Sequence, residues 1–228
     1  MAWLVFTVGL VGSYLVGSIN GAVIISYFFG RRDVRKEGSG NAGMTNMLRV
    51  MGVVPGLLTF LIDALKGVAA CLIAKMWILP YVYGELEFSL LRPEYAVYYV
   101  AVFCLAGHVY PLFFGFKGGK GVATTLGVGL ICCWQTALIA LALFIVVFLI
   151  TKIVSVGSIL AAISLPFLNI AFAARIEGEH FAVLIQCLLI SVFSLNIIIS
   201  HRSNIKRLIR GEEKKLTVKK AKEQKDNA

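Results

Sequence analysis

Long apolar runs alternate with short polar segments along this chain, covering about 3–29, 53–79, 95–114, 122–150, 158–174 and 181–200. None shows the every-second-residue alternation of a half-buried strand. At about 1.5 Å of rise per residue, roughly 20 residues of helix cross a hydrocarbon core of roughly 30 Å. Lipid offers the backbone no hydrogen-bond partner, so such runs are expected to be helices, which satisfy their own amides and carbonyls. The pattern predicts an all-α, polytopic integral membrane protein and not a barrel, whose strands are short and alternating. No Lys or Arg precedes the first run, so it lacks the positive start of a secretory signal and is expected to be retained as a span.

Composition agrees: 59% of the residues are hydrophobic and the mean hydropathy is +0.85, outside the range of a soluble domain of 228 residues. The net charge of +10 is unevenly placed. Arg31, Arg32, Arg35 and Lys36 follow the first run, and ten Lys and Arg lie between Arg202 and Lys225. "YGELEFSLLRPE" and "RIEGEH" are the acidic connections. Cytoplasmic loops of membrane proteins are enriched in Lys and Arg, so the acidic connections are expected outside, with the N-terminus outside and the C-terminus cytoplasmic. A single crossing over 122–150 would put the 175–180 connection inside. Two short helices of about 13 to 15 residues, turning near "CCWQ", restore the parity and predict seven transmembrane helices with the fourth and fifth short. A re-entrant hairpin, with the same parity, is the alternative. Residues 1–211 read as one transmembrane domain. Ile205, Leu208 and Ile209 among Lys206, Arg207 and Arg210 predict an amphipathic helix on anionic membrane lipid. Residues 212–228 are charged and apolar-poor, and a disordered tail is expected there.

With this topology "EGSGNAGMTNMLR", "FKGGKGVATT", "TKIVSVGS" and "SHRSNIKRLIRGEE" meet at the cytoplasmic face. Ordinary loops also hold Gly, Ser and basic residues, but the density of Gly38, Gly40, Gly43, Gly118, Gly119 and Gly121 favours close approach of backbone to a ligand. Nucleotide loops fail on inspection. A Walker loop needs Ser or Thr after Gly-Lys, and Lys120 is followed by Gly121; the dinucleotide pattern needs a third glycine where Thr124 stands. What remains is a run of amides plus Lys120 leading into a helix N-terminus, which suits a phosphate without a nucleotide. No metal site is expected. Cys71, Cys104, Cys132, Cys133 and Cys187 lack paired zinc spacing, and Asp33, Asp63 and Asp226 are too few for a multi-aspartate site. None of His108, His180 and His201 has an Asp five positions on, which excludes the histidine-aspartate arrangement of one large acyltransferase class.

"GSGNAGMTNMLR" (38–49), "DALKG" (63–67), "AGHVYPLFFGFKGGKGVATTLG" (106–127), "VSVGSI" (154–159) and "HRSNIKRLIRGEE" (201–213) resemble, in order, the signature segments of the PlsY family of bacterial membrane glycerol-3-phosphate acyltransferases. Asn20 stands where that family usually has proline, and the connection near 81–94 is long. The resemblance implies transfer of a fatty acyl group from acyl phosphate to the sn-1 hydroxyl of glycerol 3-phosphate, giving lysophosphatidic acid and phosphate, the first step of phospholipid synthesis. It implies a multi-pass protein of the bacterial cell membrane with its active site on the cytoplasmic face. Acyl phosphate and glycerol 3-phosphate are the implied partners besides lipid, and neither cofactor nor nucleic acid is expected.

Residues carried over from the motifs are Ser39, Asn41, Thr45, Asn46 and Arg49 for substrate binding, and Lys120 as the leading catalytic residue. Gly118, Gly119, Gly121 and Thr124 are expected to hold phosphate beside Lys120. Arg49, Lys120 and His201 are expected to gather positive charge. His201 and Asn204, at i and i+3, present an imidazole and an amide on one helical face and are further expected catalytic residues. Ser155 and Ser158 share that spacing, with Ser158 the preferred catalytic one and Ser155 a binding residue; both are also natural helix caps. His108 either hydrogen-bonds the loop or touches substrate. Asp63 and Lys66, charged residues within an apolar run, either pair structurally or contact substrate. Lys117 reads as a membrane-surface anchor. A transporter of a phosphorylated metabolite or organic anion is the alternative function, since glycine breaks and lone charges between helices also mark substrate pathways.

Overall fold

The computed structural model describes residues 1–82, 93–173 and 180–217, and all regular structure among the described residues is helical. The first apolar run is two helices, α1 (Ala2–Gly17) and α2 (Gly21–Gly30). Asn20 builds the break: its backbone is extended (φ −97°, ψ 105°) and its side chain accepts from the Val23 amide at 3.0 Å, capping α2. Asparagine therefore starts a new helix where the resembling family usually has proline.

A 3₁₀ turn (Val34–Lys36) and α3 (Met44–Val50) lead into α4 (Val53–Ile73). One wider π turn (Ala74–Ile78) carries α4 on into α5 (Leu79–Val82). α6 (Pro93–Val109) ends in a 3₁₀ turn (Leu112–Phe114), and α7 (Val122–Cys132), α8 (Trp134–Thr151), α9 (Val154–Ala173), α10 (His180–Ser200) and α11 (Arg202–Ile209) follow.

Among the described residues, six segments are long and apolar enough to cross a membrane: Ala2–Gly30, Val53–Val82, Ala96–Phe114, Trp134–Thr151, Val154–Ala173 and Phe181–Ser200. α7, with 11 residues, is an apolar helix below that length. The expected turn within 122–150 falls at Cys133, whose backbone leaves the helical region (φ −153°, ψ 68°). It divides the run unevenly, so only the first half is short; α8 has 18 residues and reaches full crossing length. The two acidic connections used to orient the chain lie largely outside the described residues.

Outward faces are apolar, as lipid requires: Ile145, Val146, Leu149 and Ile150 of α8 are all exposed. The main core centres on α6, where Ala101, Cys104 and Leu105 are buried with Val128 of α7 and Ile190 and Phe193 of α10. A second cluster of Val23, Val34, Ala42, Met47 and Met51 clamps the 31–52 segment onto α2 and α4. α7 lies close along α4, where a side chain at Gly127 would meet the Ala64 carbonyl. These packings set four polar segments around one cavity.

Candidate active site

The cavity holds about 740 Å³ and is lined from the 39–49, 108–126, 154–165 and 190–216 segments, with α8 closing one side. Its lining changes character from end to end. Along α9 it runs from Ser155 and Ser158 to Ala162 and Leu165; along α10 it runs from His201 back to Ile197, Phe193 and Ile190. Phe144 and Phe148 of α8 complete the apolar part, their rings stacked at 6.1 Å.

In the first polar segment Ser39, Asn41, Thr45, Asn46 and Arg49 all line the cavity. Asn46 is 1% exposed, and its amide is engaged at both ends: Nδ2 donates to the Val34 and Glu37 carbonyls, both at 3.0 Å, and Oδ1 accepts from the Ser39 amide at 2.8 Å. It shapes the loop that presents Ser39, while its place on the cavity wall leaves the second lone pair of Oδ1 for a ligand. Arg35 acts alongside. Asp33 holds its guanidinium through bonds of 2.8 to 3.1 Å, and Nη1 donates to the Phe114 carbonyl at 2.6 Å and the Lys117 carbonyl at 3.3 Å. That clip fastens the first segment to the second.

The second segment departs from expectation. The amides of Gly118 and Gly119 donate to the Val109 and His108 carbonyls at 3.1 and 3.2 Å, so they fold the loop instead of facing a ligand. The amides of Lys120, Gly121 and Val122 have no acceptor among the described residues. Gly121, at φ 86°, starts α7 without a side-chain cap, which leaves a helix N-terminus turned to the cavity. Thr124 is fully buried and does not line the cavity, which corrects its expected contact with phosphate. Lys117 is exposed at the rim.

Lys120 donates to Asn204 Oδ1, joining the second polar segment to α11. Burial, with Arg207 and Arg49 nearby, pushes its pKa down to about 8 against the opposing pull of Glu213. His201 is 3% exposed, and its Nδ1 lies 2.8 Å from the Ile197 carbonyl, to which it donates. Burial and then Lys120 pull its pKa down to about 4, so at neutral pH it is an uncharged imidazole with a free Nε2 lone pair. Arg207 of the amphipathic α11 also lines the cavity, so a second guanidinium stands beside Arg49 and Lys120 there.

Glu213 was missed altogether. Its Oε1 accepts from Ser155 Oγ at 2.8 Å and Asn204 Nδ2 at 2.6 Å, and its Oε2 accepts from Arg207 Nε at 2.6 Å. Burial alone would raise this carboxyl, but the bonds from Arg207, Asn204 and Ser155 outweigh it and hold it below the usual carboxylate range. The strap that carries it is pinned elsewhere too: the Leu216 amide donates to the Lys152 carbonyl at 2.9 Å, and Arg49 donates to the Lys214 carbonyl at 3.4 Å. The expected disorder from 212 is thus corrected over 212–217, where the strap is hydrogen-bonded to the body; 218–228 lie outside the described residues. The signal in the sequence is that Glu213 closes the "HRSNIKRLIRGEE" motif, a carboxylate six residues beyond Arg207 in a strongly basic segment. Ser158, the preferred serine, spends its hydroxyl on the Val154 carbonyl at 3.0 Å while lining the cavity.

Under the glycine-rich loop lies a buried charged group. Lys66 is 6% exposed and donates to the Ile19 carbonyl at 2.6 Å, to Asp63 Oδ1 at 3.0 Å and to His108 Nδ1 at 2.8 Å. Asp63 and His108 both reach the cavity wall; Lys66 lies behind them.

The model of the glycerol-3-phosphate acyltransferase family matches residues 7–211. A glycerol-3-phosphate acyltransferase of Finegoldia magna is 40% identical over 89% of this chain and 92% of its own. One from Desulforamulus reducens is 38% identical over 92% and 95%. The crystal structure of PlsY (YgiH) in its glycerol 3-phosphate form superposes with a TM-score of 0.76 at 35% identity, covering 93% of this chain and 96% of that one. Its lysophosphatidic acid form gives 0.73 at 34% identity over 92% and 94%. With matched sequence, matched architecture and a phosphate-suited cavity in one chain, this protein belongs to the glycerol-3-phosphate acyltransferase family.

Proposed function

We propose that this membrane acyltransferase moves a fatty acyl group from acyl phosphate to the sn-1 hydroxyl of glycerol 3-phosphate, releasing lysophosphatidic acid and phosphate. The observation that carries the reading is a cavity of about 740 Å³ that is cationic and polar at one end and apolar at the other. Acyl phosphate has the same two halves. The solved relatives are described in glycerol 3-phosphate and lysophosphatidic acid forms, an acceptor and a product that share the phosphate group.

In this reading Lys120, Arg49 and Arg207 draw both phosphates to the polar end, with the free amides at the start of α7 as neutral donors. Ser39, Asn41 and Thr45 line the wall that faces the glycerol, and the alkyl chain extends toward Phe144, Phe148 and Leu165. The hydroxyl oxygen attacks the acyl carbonyl carbon, the bond from that carbon to the phosphate oxygen breaks, and phosphate leaves with the electron pair. The hydroxyl proton passes to a phosphate oxygen. Acyl phosphate is a mixed anhydride with a stable leaving group, so no strong protein base is needed, in keeping with the weakly basic His201.

The same reading takes the bent α1–α2 pair, α4–α5, α6, α7, α8, α9 and α10 as seven passes. The basic 31–36 and 202–215 segments then lie on the cytoplasmic side of a bacterial cell membrane and the N-terminus outside. Purified protein in liposomes, given labelled glycerol 3-phosphate and in turn acyl phosphate, acyl-CoA or acyl-carrier protein, tests the donor. Product from acyl phosphate alone is expected, with Lys120→Ala about 100-fold slower. Product from a thioester donor at an equal rate, or an unimpaired Lys120→Ala, would overturn the donor or the residue assignment respectively.

A further inference from the structure

Buried charges inside a membrane helix bundle are costly unless each is satisfied, and the Lys66 group is satisfied in a way that dictates chemistry next to it. An ammonium has three N–H donors and no acceptor. The break between α1 and α2 frees the Ile19 carbonyl from helical pairing, and Lys66 donates to it at 2.6 Å. Its second donor goes to Asp63 Oδ1 at 3.0 Å, which also accepts from the Gly21 amide at 3.3 Å. The third goes to His108 Nδ1 at 2.8 Å.

A donor-only partner at that distance requires a lone pair on Nδ1, so the ring proton of His108 sits on Nε2. Asp63 Oδ1 lies 3.5 Å from Nδ1, a longer contact than the 2.8 Å from Lys66 Nζ, so the ammonium is the nearer partner of that nitrogen. His108 is 3% exposed, lines the cavity, and makes no hydrogen bond through Nε2 among the described residues. Gly119 keeps that edge clear: a side chain there would collide with His108 Nε2 and Cε1.

We infer that Lys66 and Asp63 are positioning residues that fix His108 as a neutral Nε2–H donor, and that this donor binds a substrate oxygen that carries or develops negative charge. The assignment of the ligand rests on the acyl-transfer reading above; the tautomer does not. His201 is fixed the opposite way, since its Nδ1 donates to Ile197 and its Nε2 keeps the lone pair. The cavity thus has one imidazole donor and one imidazole acceptor. A neutral donor also holds an oxygen without adding charge to a cavity already lined by Arg49, Lys120 and Arg207.

The test uses the full chain with ring-¹⁵N histidine, reconstituted in lipid, the His108 signals being assigned by their loss in His108→Gln. Wild type is expected to show a protonated Nε2 and an unprotonated Nδ1 at His108, and the paired variant Asp63→Asn with Lys66→Met to lose that preference. A proton on Nδ1 in wild type overturns the tautomer. In the activity arm His108→Leu is expected to lower kcat/KM at least tenfold, and His108→Gln, whose amide N–H reaches the Nε2 position, to recover most of it. A loss confined to kcat identifies the carbonyl oxygen and one confined to KM a phosphate oxygen; an unchanged Leu variant overturns the substrate role. If wild type makes no lysophosphatidic acid, the acyl-transfer reading fails while the spectrum still decides the tautomer.

Discussion

Lys120 is the residue on which charge, burial and position converge. It is held by Asn204, and burial with two neighbouring guanidinium groups pushes its pKa down to about 8. In the proposed reading the charged form binds phosphate, and a depressed pKa means that this form is lost as pH rises through about 8. We therefore expect kcat/KM to fall progressively above that pH in a pH-rate profile of the free enzyme. Lys120→Arg should remove the alkaline fall, because a guanidinium stays protonated, at reduced activity because its planar fork does not fit a point-charge site. His201, neutral from about pH 4 upward, should add no step near neutrality. Lys120 stands out from the residues alone, since a cation among glycines has few other uses, whereas Arg49 is reached only through the family resemblance. The fate of the neighbouring amides is not legible there: Gly118 and Gly119 spend theirs on carbonyls of the preceding turn, and Asn46 spends its side-chain N–H groups on its own loop. Such choices depend on which backbone groups the fold leaves unpaired, and no residue type announces that.

Among the elements, the strap over 212–217 departs most from its sequence reading. Charged, apolar-poor sequence lacks the surface to order itself, but here Glu213 is ordered by three donors on α9 and α11, and Leu216 by the Lys152 carbonyl. Truncation after Gly211 is expected to lower acyl transfer at least tenfold by freeing Asn204 and Ser155. Truncation after Thr217 should leave it near wild type, and equal activity of the two truncations would contradict the role given to Glu213. α8 and α9 offer a second test. Ala162 is buried on the apolar wall, so Ala162→Phe should shorten the preferred acyl chain, read as a shifted optimum across acyl phosphates of increasing length. The spans themselves were legible because a hydrocarbon solvent imposes long apolar runs. Parity also places the break near "CCWQ", but not the uneven lengths of the helices on either side of Cys133, since neither Gly nor Pro marks the junction.

For the whole molecule, packing of α4 on α7, of α1 on α6 and of α8 and α10 on α9 brings four polar segments, far apart in sequence, to one cavity. Charge placement and parity imply that convergence, whereas the sequence shows Asp63 and Lys66 only as a costly pair and not their contact with His108. A bundle whose cavity is polar at one end and apolar at the other suits chemistry on a lipid precursor at the membrane surface, where a transporter needs a path across. The most direct measurement reconstitutes the purified full chain in sealed liposomes with acyl phosphate and labelled glycerol 3-phosphate, then follows both lysophosphatidic acid and inorganic phosphate. The account requires the two products to appear together in equal amounts. Label accumulating inside the liposomes as unchanged glycerol 3-phosphate, with neither product formed, would contradict it.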